Sequence, residues 1–357
     1  MHDKKHNTSS AVTSRAAIFP GFQTNHISTA DAYRATLFGI YTDHTSAAAT
    51  GRAMTDSWHV DILKGSRKGE NLDDFMKRKV FPDEEYKRKS KQLVNYLTKF
   101  VQHNIPFSVK KMFVGGSQGK KIDVLDNADV DLVMYINDYD TMEEFRNNLD
   151  DVLQNLEQHI QKDLNWAENV KVIDRTHHAV QFEVKLKGYD HPINVDLLPA
   201  IDLPEKAHSA KEMFNDMKSL TPDKQKFFSV CTSEKQTQFA REAPKQLKEL
   251  TRLVKYWKKT ENVPGKSYFF ELFIRHLWET EWGKPQIFSM EEKFKDVIRN
   301  LKTTRSMRII WPELYDAEKY TTVPERPVML DPMNPFQNVA PSGTDVDGII
   351  EKATSLQ

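Results

Sequence analysis

The sequence has almost no cysteine and no long apolar run. Cys231 is its only cysteine among 357 residues. One thiol cannot build a disulfide framework or a structural zinc site of several thiolates. No apolar run approaches the length of a membrane span, and no apolar signal-peptide core follows the first residues. These absences favour a cytoplasmic protein, or one that is also nuclear, with no membrane partner.

An excess of charge of either sign is also absent. The 51 Lys and Arg residues balance the 51 Asp and Glu residues, so the formal net charge is zero. Any surface that binds nucleic acid must therefore be a local patch. A chain of this length can bury a substantial core, either in one bilobal unit or in two domains.

A glycine-rich turn is the first motif with a chemical meaning. Gly115, Gly116 and Ser117 follow the apolar run 112–114, which has the composition of a strand. Two glycines let the backbone approach a phosphate closely, and successive N–H groups can hold its oxygens. The hydroxyl of Ser117 can add one more donor. The turn is thus a candidate nucleotide-binding element.

Three carboxylates form the second motif. Asp129 and Asp131 lie two residues apart at the start of an apolar strand, so both side chains leave the same face. Asp196 lies in a later apolar segment that reads as a neighbouring strand. Three carboxylates in this arrangement suit two Mg²⁺ ions, with Mn²⁺ as a possible substitute, in an in-line displacement at a triphosphate. The order of the two motifs predicts a nucleotidyltransferase active site with catalytic and metal-binding Asp129, Asp131 and Asp196.

Further segments extend the pattern toward a known family. Segment 195–202 resembles Asp-Val-Leu-Pro-Ala-Phe-Asp, 250–257 resembles Arg-Leu-Val-Lys-His-Trp, and 326–332 resembles Arg-Pro-Val-Ile-Leu-Asp-Pro. With the two motifs above, they resemble the 2′-5′-oligoadenylate synthetases. That family belongs to the wider nucleotidyltransferase group that includes cyclic GMP–AMP synthase. The chain lacks the Cys/His zinc insertion of vertebrate cyclic GMP–AMP synthase, which favours the former branch.

The resemblance implies a fold and a division into lobes. The fold class is α/β (α+β): a polymerase beta-like lobe with a mixed sheet and a long spine helix, then a helical C-terminal lobe. We expect a low-complexity, disordered extension over 1–65, the catalytic lobe over 66–202 and the helical lobe over 203–357. The extension is either a bland tail or a regulatory arm.

The local patterns predict the main elements of both lobes. Strands are expected near 108–114, 129–136, 170–174, 179–187 and 192–199. Helices are expected over 83–103, 142–160 and 244–260, with Thr141 and Glu144 as a capping box for the second. In the third, Leu247, Leu250, Val254 and Trp257 form the core face, and a row of cations lies on the opposite face.

The resemblance also implies roles for nucleotide-binding residues. Gly115, Gly116 and Ser117 would position the triphosphate of ATP or another nucleoside triphosphate. Arg252 and Lys255 would hold phosphates, and Tyr268 would stack on a base, although a tyrosine on an apolar helix is often simple core. Ser267 stands where the family usually has Gln, which leaves the base preference open because a hydroxyl cannot reproduce the paired donor and acceptor of an amide.

Double-stranded RNA is the activator that the resemblance implies. Lysines and arginines along one helix suit duplex RNA, which is recognised by its shape, phosphates and 2′-hydroxyls. The alternative is that these cations form an ordinary solvated face. The candidate RNA-binding residues are Lys79, Lys87, Arg88, Lys91, Lys245 and Lys248.

The activity implied is RNA-activated synthesis of 2′-5′-linked oligoadenylates in antiviral signalling. Two alternatives stay open. A zinc-free cyclic-dinucleotide synthase would share the same motifs. A catalytically silent RNA-binding scaffold would not need the intact Asp129, Asp131 and Asp196. The sequence does not determine the oligomeric state.

Overall fold

The computed structural model describes residues 62–125, 129–162, 164–203, 209–321 and 323–356. Most of the expected extension over 1–65 lies outside these residues. Its last positions are packed rather than extended: Leu63 is buried, and the carbonyl of Gly65 accepts a hydrogen bond from Arg78 Nη2 at 3.0 Å. The described part of the chain therefore begins before residue 66, where the catalytic lobe was expected to start.

A mixed five-stranded sheet forms the first half of the molecule. Its elements, in chain order, are α1 (Leu72–Phe75), a π-helical segment (Met76–Val80), α2 (Glu84–Asn104), β1 (Val109–Val114), α3 (Gly116–Lys120), β2 (Val130–Ile136), α4 (Met142–Ile160), β3 (Ala167–Arg175), β4 (Val180–Leu186) and β5 (Ile193–Ala200). The strand order is β1-β2-β5-β4-β3, with β2 parallel to β5 and the other pairs antiparallel. The expected mixed sheet is confirmed, and each strand overlaps its predicted position.

Hydrophobic alternation fixes which face of the sheet is buried. Val180, Phe182, Val184 and Leu186 of β4 are buried, while the residues between them are only half-buried. Because strand side chains alternate, one face of β4 packs in the core and the other is free to carry polar groups. Helix α2 adds Leu93, Leu97 and Val101 to this core, whereas Phe100 is only partly buried against it.

The second half is mainly helical. Its elements are α5 (Ala210–Lys218), α6 (Pro222–Lys226), α7 (Phe228–Cys231), α8 (Ser233–Arg241), α9 (Lys245–Thr260), α10 (Ser267–Thr280), α11 (Met290–Leu301), a 3₁₀ turn (Thr304–Ser306), β6 (Arg308–Ile309), α12 (Ala317–Tyr320), β7 (Val328–Asp331), β8 (Asn334–Asn338) and α13 (Thr344–Ser355). Strands β6, β7 and β8 form a small separate sheet.

Aromatic side chains dominate the core of the helical half. Trp257, Phe269, Phe270 and Phe294 are among its largest fully buried side chains. Burial of each such ring removes a large apolar area from water. Phe75, which precedes the sheet in the chain, packs in this same core. In the described part of the chain, no helix is long and apolar enough to cross a membrane.

Helix α4 starts at an N-cap that the sequence predicts. The Oγ1 atom of Thr141 accepts a hydrogen bond from the backbone N–H of Glu144 at 3.2 Å. The return bond of the expected capping box is shifted by one residue, because the Glu144 carboxylate accepts from the N–H of Asp140 at 3.2 Å. We predict that Thr141→Ala lowers the free energy of unfolding by about 1 kcal/mol, since one N–H at the helix start loses its partner.

Urea denaturation measures this loss. Gln154→Ala, at an exposed position in the middle of the same helix, is the control and should change the free energy of unfolding by less than about 0.5 kcal/mol. Equal effects of the two substitutions would show that the Thr141 cap contributes nothing.

Candidate active site

Strand pairing places two of the three predicted carboxylates side by side. Strands β2 and β5 run parallel in a register that sets Asp131 opposite Asp196. Their neighbours Val130, Leu132 and Val195 are buried, so the two aspartates leave the opposite face of the sheet. Asp129 lies two residues before Asp131, at the exposed start of β2. The structure therefore brings the three predicted carboxylates to one end of the β2–β5 pair.

Burial and neighbouring carboxylates raise the pKa values of Asp131 and Asp196. Burial raises the pKa of Asp131 to about 6, and the charges of Asp196 and Asp129 add to the effect. Burial also raises the pKa of Asp196, and Asp129 contributes again. Grouped carboxylates disfavour their charged forms in this way because like charges repel. A cation bound among them would relieve the repulsion.

Their donor chemistry fits Mg²⁺, a hard cation that prefers carboxylate oxygens. Within the described ranges, no group of three or more His, Cys, Asp or Glu side chains is assembled in a metal-holding arrangement. The three aspartates are thus electrostatic neighbours whose oxygens are not gathered around one point. Metal binding at this site would require small adjustments of these side chains.

The glycine turn lies directly against Asp131. The N–H of Gly115 donates to the backbone carbonyl of Asp131 at 2.9 Å. Gly116 has φ +51°, and a Cβ atom at this position would lie 1.7 Å from Asp131 Oδ2. Only glycine fits here, because both the backbone conformation and the close approach exclude a side chain. Gly115, Gly116 and Ser117 are therefore adjacent to the carboxylates, as the predicted site requires.

The two predicted phosphate-binding cations are already engaged. Lys255 Nζ donates to the carbonyl of Ile122 at 3.0 Å, and Arg252 Nε donates to the carbonyl of Asp123 at 3.0 Å. Lys255 is only 8% exposed, and its burial lowers its pKa to about 8. Lys245, Lys248, Arg252, Lys255 and Lys259 form the row of cations on α9, and the middle of that row packs against the segment that follows α3. Only the ends of the row, Lys245 and Lys259, are exposed.

Lys120 is a site residue that the sequence analysis missed. It is buried at the end of α3 and pairs with Glu271 at 2.9 Å. Its charge lowers the pKa of Asp131, which places it in the same electrostatic cluster. The dipeptide Gly119-Lys120 directly after the glycine turn was the available signal. A cation there can balance negative charge that gathers at the turn.

Tyr268 lies beside this cluster. The ammonium of Lys120 lies over the Tyr268 ring, 4.1 Å from its centroid. The hydroxyl is buried, and burial together with the Asp331 and Glu271 carboxylates raises its pKa well above the usual value. Asp331 is itself fully buried and accepts from Gln236 Nε2 at 2.9 Å. Lys120 thus occupies one face of the Tyr268 ring. Stacking of a nucleotide base on the other face stays a prediction.

Two amide side chains that the sequence analysis did not consider bond to the carboxylates. Gln181 Nε2 donates to Asp196 Oδ1 at 3.1 Å, and Asn194 Nδ2 donates to Asp129 Oδ1 at 3.3 Å. The strict alternation of β4 was a signal for Gln181, since it predicts a polar face on that strand. The partner of Gln181 could be named only after the β4–β5 register was known.

A basic groove lies next to the glycine turn. Its lining comes from α2, β1, α3, the segment after α3 and α9, and consists of Lys87, Lys91, Val94, Val114, Gln118, Lys121, Asp123 and Arg252. Lys248 does not line the groove but is near it, because burial and the charges of Lys121, Arg252 and Arg241 lower its pKa. The groove thus joins two of the predicted RNA-binding lysines, Lys87 and Lys91, with Arg252.

Three further predicted RNA-binding residues, Arg88, Lys245 and Lys79, do not line the groove. Arg88 is exposed and pairs with Glu85 at 3.7 Å, and Lys245 is exposed and pairs with Glu249 at 3.6 Å. Lys79 is half-buried in the π-helical segment before α2. Exposed pairs of this kind are weak and are screened by salt. They leave Arg88 and Lys245 available to other anions.

Comparison with solved structures defines the class of the fold. The chain is similar to CdnC of E. coli MS115-1, solved with ATP, with a TM-score of 0.55 and 23% sequence identity. The match covers 79% of this chain and 87% of CdnC. The protein thus has a nucleotidyltransferase fold with a mixed sheet and a helical second half, as the sequence predicts.

Comparison by sequence finds similarity to one family. Residues 206–356 match the family model described as 2′-5′-oligoadenylate synthetase 1, domain 2, C-terminus. The rat 2′-5′-oligoadenylate synthase 1A is 27% identical over 311 residues, which cover 75% of this chain and 84% of the relative. The rat inactive 2′-5′-oligoadenylate synthase 1B is 26% identical over 264 residues, covering 66% of this chain and 69% of the relative. These matches confirm the predicted resemblance to the 2′-5′-oligoadenylate synthetases.

We predict that Gly116→Ala disrupts the site far more than it disrupts the fold. The new Cβ would displace the Asp131 carboxylate, and a displacement of this size can lower turnover about 100-fold. Gly69→Ala is the matched control, because Gly69 has φ +74° and a Cβ added there would meet nothing within 4 Å. Both variants carry a backbone strain of about 1 kcal/mol.

Nucleotide turnover and thermal unfolding, measured together, separate the two effects. The control should lose stability but keep its turnover. If the two alanine variants lose turnover equally, the close contact between Gly116 and Asp131 has no role in the site.

Proposed function

We propose that this protein is a nucleotidyltransferase that joins ATP units through 2′-5′ linkages and that double-stranded RNA activates it. The observation that supports this most is the register of Asp131 against Asp196 beside the turn at Gly116. The family match and the nucleotidyltransferase fold are consistent with it. By family resemblance, the product would act as an antiviral second messenger in the cytoplasm.

The proposed reaction transfers an adenylyl group to a 2′-hydroxyl. Asp129, Asp131 and Asp196 would hold two Mg²⁺ ions, which supply positive charge that acidifies the attacking hydroxyl and offsets the triphosphate. Asp196 is the residue proposed to accept the proton of that hydroxyl. The new bond joins the 2′-oxygen to the α-phosphorus, and pyrophosphate leaves with the electron pair of the broken bond.

The glycine turn and the buried cations are proposed to hold the triphosphate. Backbone N–H groups at Gly116 and Ser117 would donate to phosphate oxygens, which the absence of side chains at Gly115 and Gly116 permits. Lys255 now donates to a backbone carbonyl, and Arg252 donates to another and lies 3.5 Å from the Asp123 carboxylate. A phosphate could replace the carbonyl acceptors, since a hydrogen bond between charged groups is stronger than one to a carbonyl. Lys120, which is paired with Glu271, would add its positive charge to the same site.

RNA activation is proposed to act through the basic groove. Lys87 and Lys91 extend from α2 on one side, and Lys121 and Arg252 lie on the other. The glycine turn lies just before the Lys121 side of the groove in the chain, because α3 starts at Gly116 and ends at Lys120. RNA bound in the groove would therefore touch the element that positions the triphosphate. It activates the enzyme only if it binds the competent state more tightly than the resting one.

Product analysis tests the proposed reaction. Mixed nucleoside triphosphates and Mg²⁺ are incubated with and without long double-stranded RNA, and products are resolved by mass and linkage. We expect 2′-5′ adenylates that appear only with RNA. Asp131→Asn should lower their yield by more than about 100-fold, because loss of a metal ligand exceeds the usual cost of losing an outer partner, while RNA binding persists.

Other products would identify the alternatives. A single cyclic dinucleotide would assign the protein to the cyclic branch with the same active site. The chain already departs from the synthetases at Ser267, where the family usually has Gln. No product with any nucleotide, together with intact RNA binding, would mean a silent scaffold. A relative of this kind exists, since one similar rat protein is named inactive.

The groove itself is tested by reversing charge on α2. We predict that Lys87→Glu combined with Arg88→Glu reduces RNA-dependent activation at least about tenfold at 0.15 M salt, because phosphate contacts dominate nucleic-acid affinity. Both side chains are exposed, so the melting temperature should change little.

The control makes the same change in charge elsewhere. Lys162→Glu with Lys171→Glu alters exposed residues after α4 and on β3, and it should leave activation intact. Unchanged activation in the Lys87 and Arg88 variant would remove the start of α2 from the RNA-binding surface.

A further inference from the structure

Two neutral amides are each bonded to a carboxylate of the proposed metal site. Gln181 Nε2 donates to Asp196 Oδ1 at 3.1 Å. Asn194 Nδ2 donates to Asp129 Oδ1 at 3.3 Å. Neither amide belongs to the glycine turn, the carboxylate set or the basic groove. Their bonding to two different members of one carboxylate set calls for a chemical reason.

Strand geometry accounts for both contacts. Gln181 on β4 is the register partner of Asp196 on β5, so their side chains leave the sheet side by side. Asn194 lies two residues before Asp196 on β5 and therefore shares its face. The strand register holds both amides next to the site through backbone pairing. Their positions do not depend on a mobile loop.

An amide suits this position better than a charged donor would. Its NH₂ group can fix the direction of a carboxylate without neutralising it, so the full negative charge stays available to a cation. Each bond uses Oδ1 and leaves Oδ2 of the same aspartate for another ligand. By contrast, Asp202, two residues after the end of β5, is paired with Lys110 and Lys111 at 3.2 and 3.0 Å. A carboxylate neutralised in that way is a poor ligand for a divalent cation.

We propose that Gln181 and Asn194 are positioning residues that orient Asp196 and Asp129 for divalent metal binding. The inference rests on the proposed function for the identity of the carboxylate set. Neighbours that orient metal ligands commonly contribute 10- to 100-fold to affinity or activity. The two amides would supply that orientation here, from the strand of Asp196 and from the strand beside it.

The first test removes the donor of Gln181 in two ways. Gln181→Leu deletes the hydrogen bond, and Gln181→Met also deletes it but keeps the length of the side chain without adding charge. Mn²⁺ binding to the nucleotide-free protein is measured by electron paramagnetic resonance of the free ion. We expect about tenfold weaker binding for both variants. A residue that only fills space would tolerate methionine.

Lys185→Leu is the matched control. Lys185 lies four residues along β4 on the same face and pairs with Glu168 at 2.9 Å, away from the carboxylates. Its loss should leave Mn²⁺ binding unchanged. Asn194→Leu removes the donor to Asp129 and should also weaken Mn²⁺ binding about tenfold. All variants are first checked for an unchanged melting temperature.

Turnover gives a second, independent readout. We expect kcat to fall about tenfold in Gln181→Leu with little change in the KM for the nucleotide, since neither amide touches the glycine turn or the buried cations. Unchanged Mn²⁺ affinity in Gln181→Met would overturn the proposal. Tighter Mn²⁺ binding or higher RNA-independent turnover in Gln181→Leu would also overturn it, because the amide would then hold Asp196 away from the metal.

The outcome is separable from that of the proposed function. If the enzyme makes another product or none, Mn²⁺ binding still reports on the amides. If oligoadenylates form as proposed but Gln181 and Asn194 variants bind Mn²⁺ normally, only the positioning role fails.

Discussion

The parallel pairing of β2 with β5 is the constraint on which the site depends. It sets Asp131 opposite Asp196, with both side chains on the face opposite the buried Leu132 and Val195. The glycine turn is tied to the same pair, since the N–H of Gly115 donates to the Asp131 carbonyl. The alternation of buried and more exposed residues along β5 fixes this register, because a shift by one residue would move its apolar side chains to the other face.

The electrostatics of the site follow from that constraint. Strand geometry concentrates negative charge at Asp129, Asp131 and Asp196, and burial raises the pKa of Asp131 to about 6. Lys120 and Lys255 lie close enough to lower it in part, but each is engaged elsewhere, with Glu271 and with the carbonyl of Ile122. The cluster therefore remains short of positive charge. The metal ions of a metal–triphosphate complex would supply that charge. Its phosphates would bind Lys120 and Lys255.

Local sequence patterns predicted much of the fold. Helix α4 begins at Met142 and ends at Ile160 as its capping residue and apolar spacing predict, and β4 follows from strict alternation. The three carboxylates and the turn at Gly116 could also be named, because their spacing along the chain carries the information. The burial of Lys255 could not be predicted, since helical spacing identifies a shared face but not what packs against it. Lys120, Gln181 and Asn194 were missed for a related reason: their partners are distant in sequence and depend on the register.

The central claim is that the turn and the three carboxylates form one metal and triphosphate site. The most direct measurement is a crystal structure with Mn²⁺, a non-hydrolysable ATP analogue and double-stranded RNA, in which anomalous scattering locates the metal. The account predicts anomalous peaks bound by Asp129, Asp131 and Asp196, with the triphosphate against Gly116 and Ser117. Metal or triphosphate bound away from these residues, with the carboxylates still separate, would contradict it.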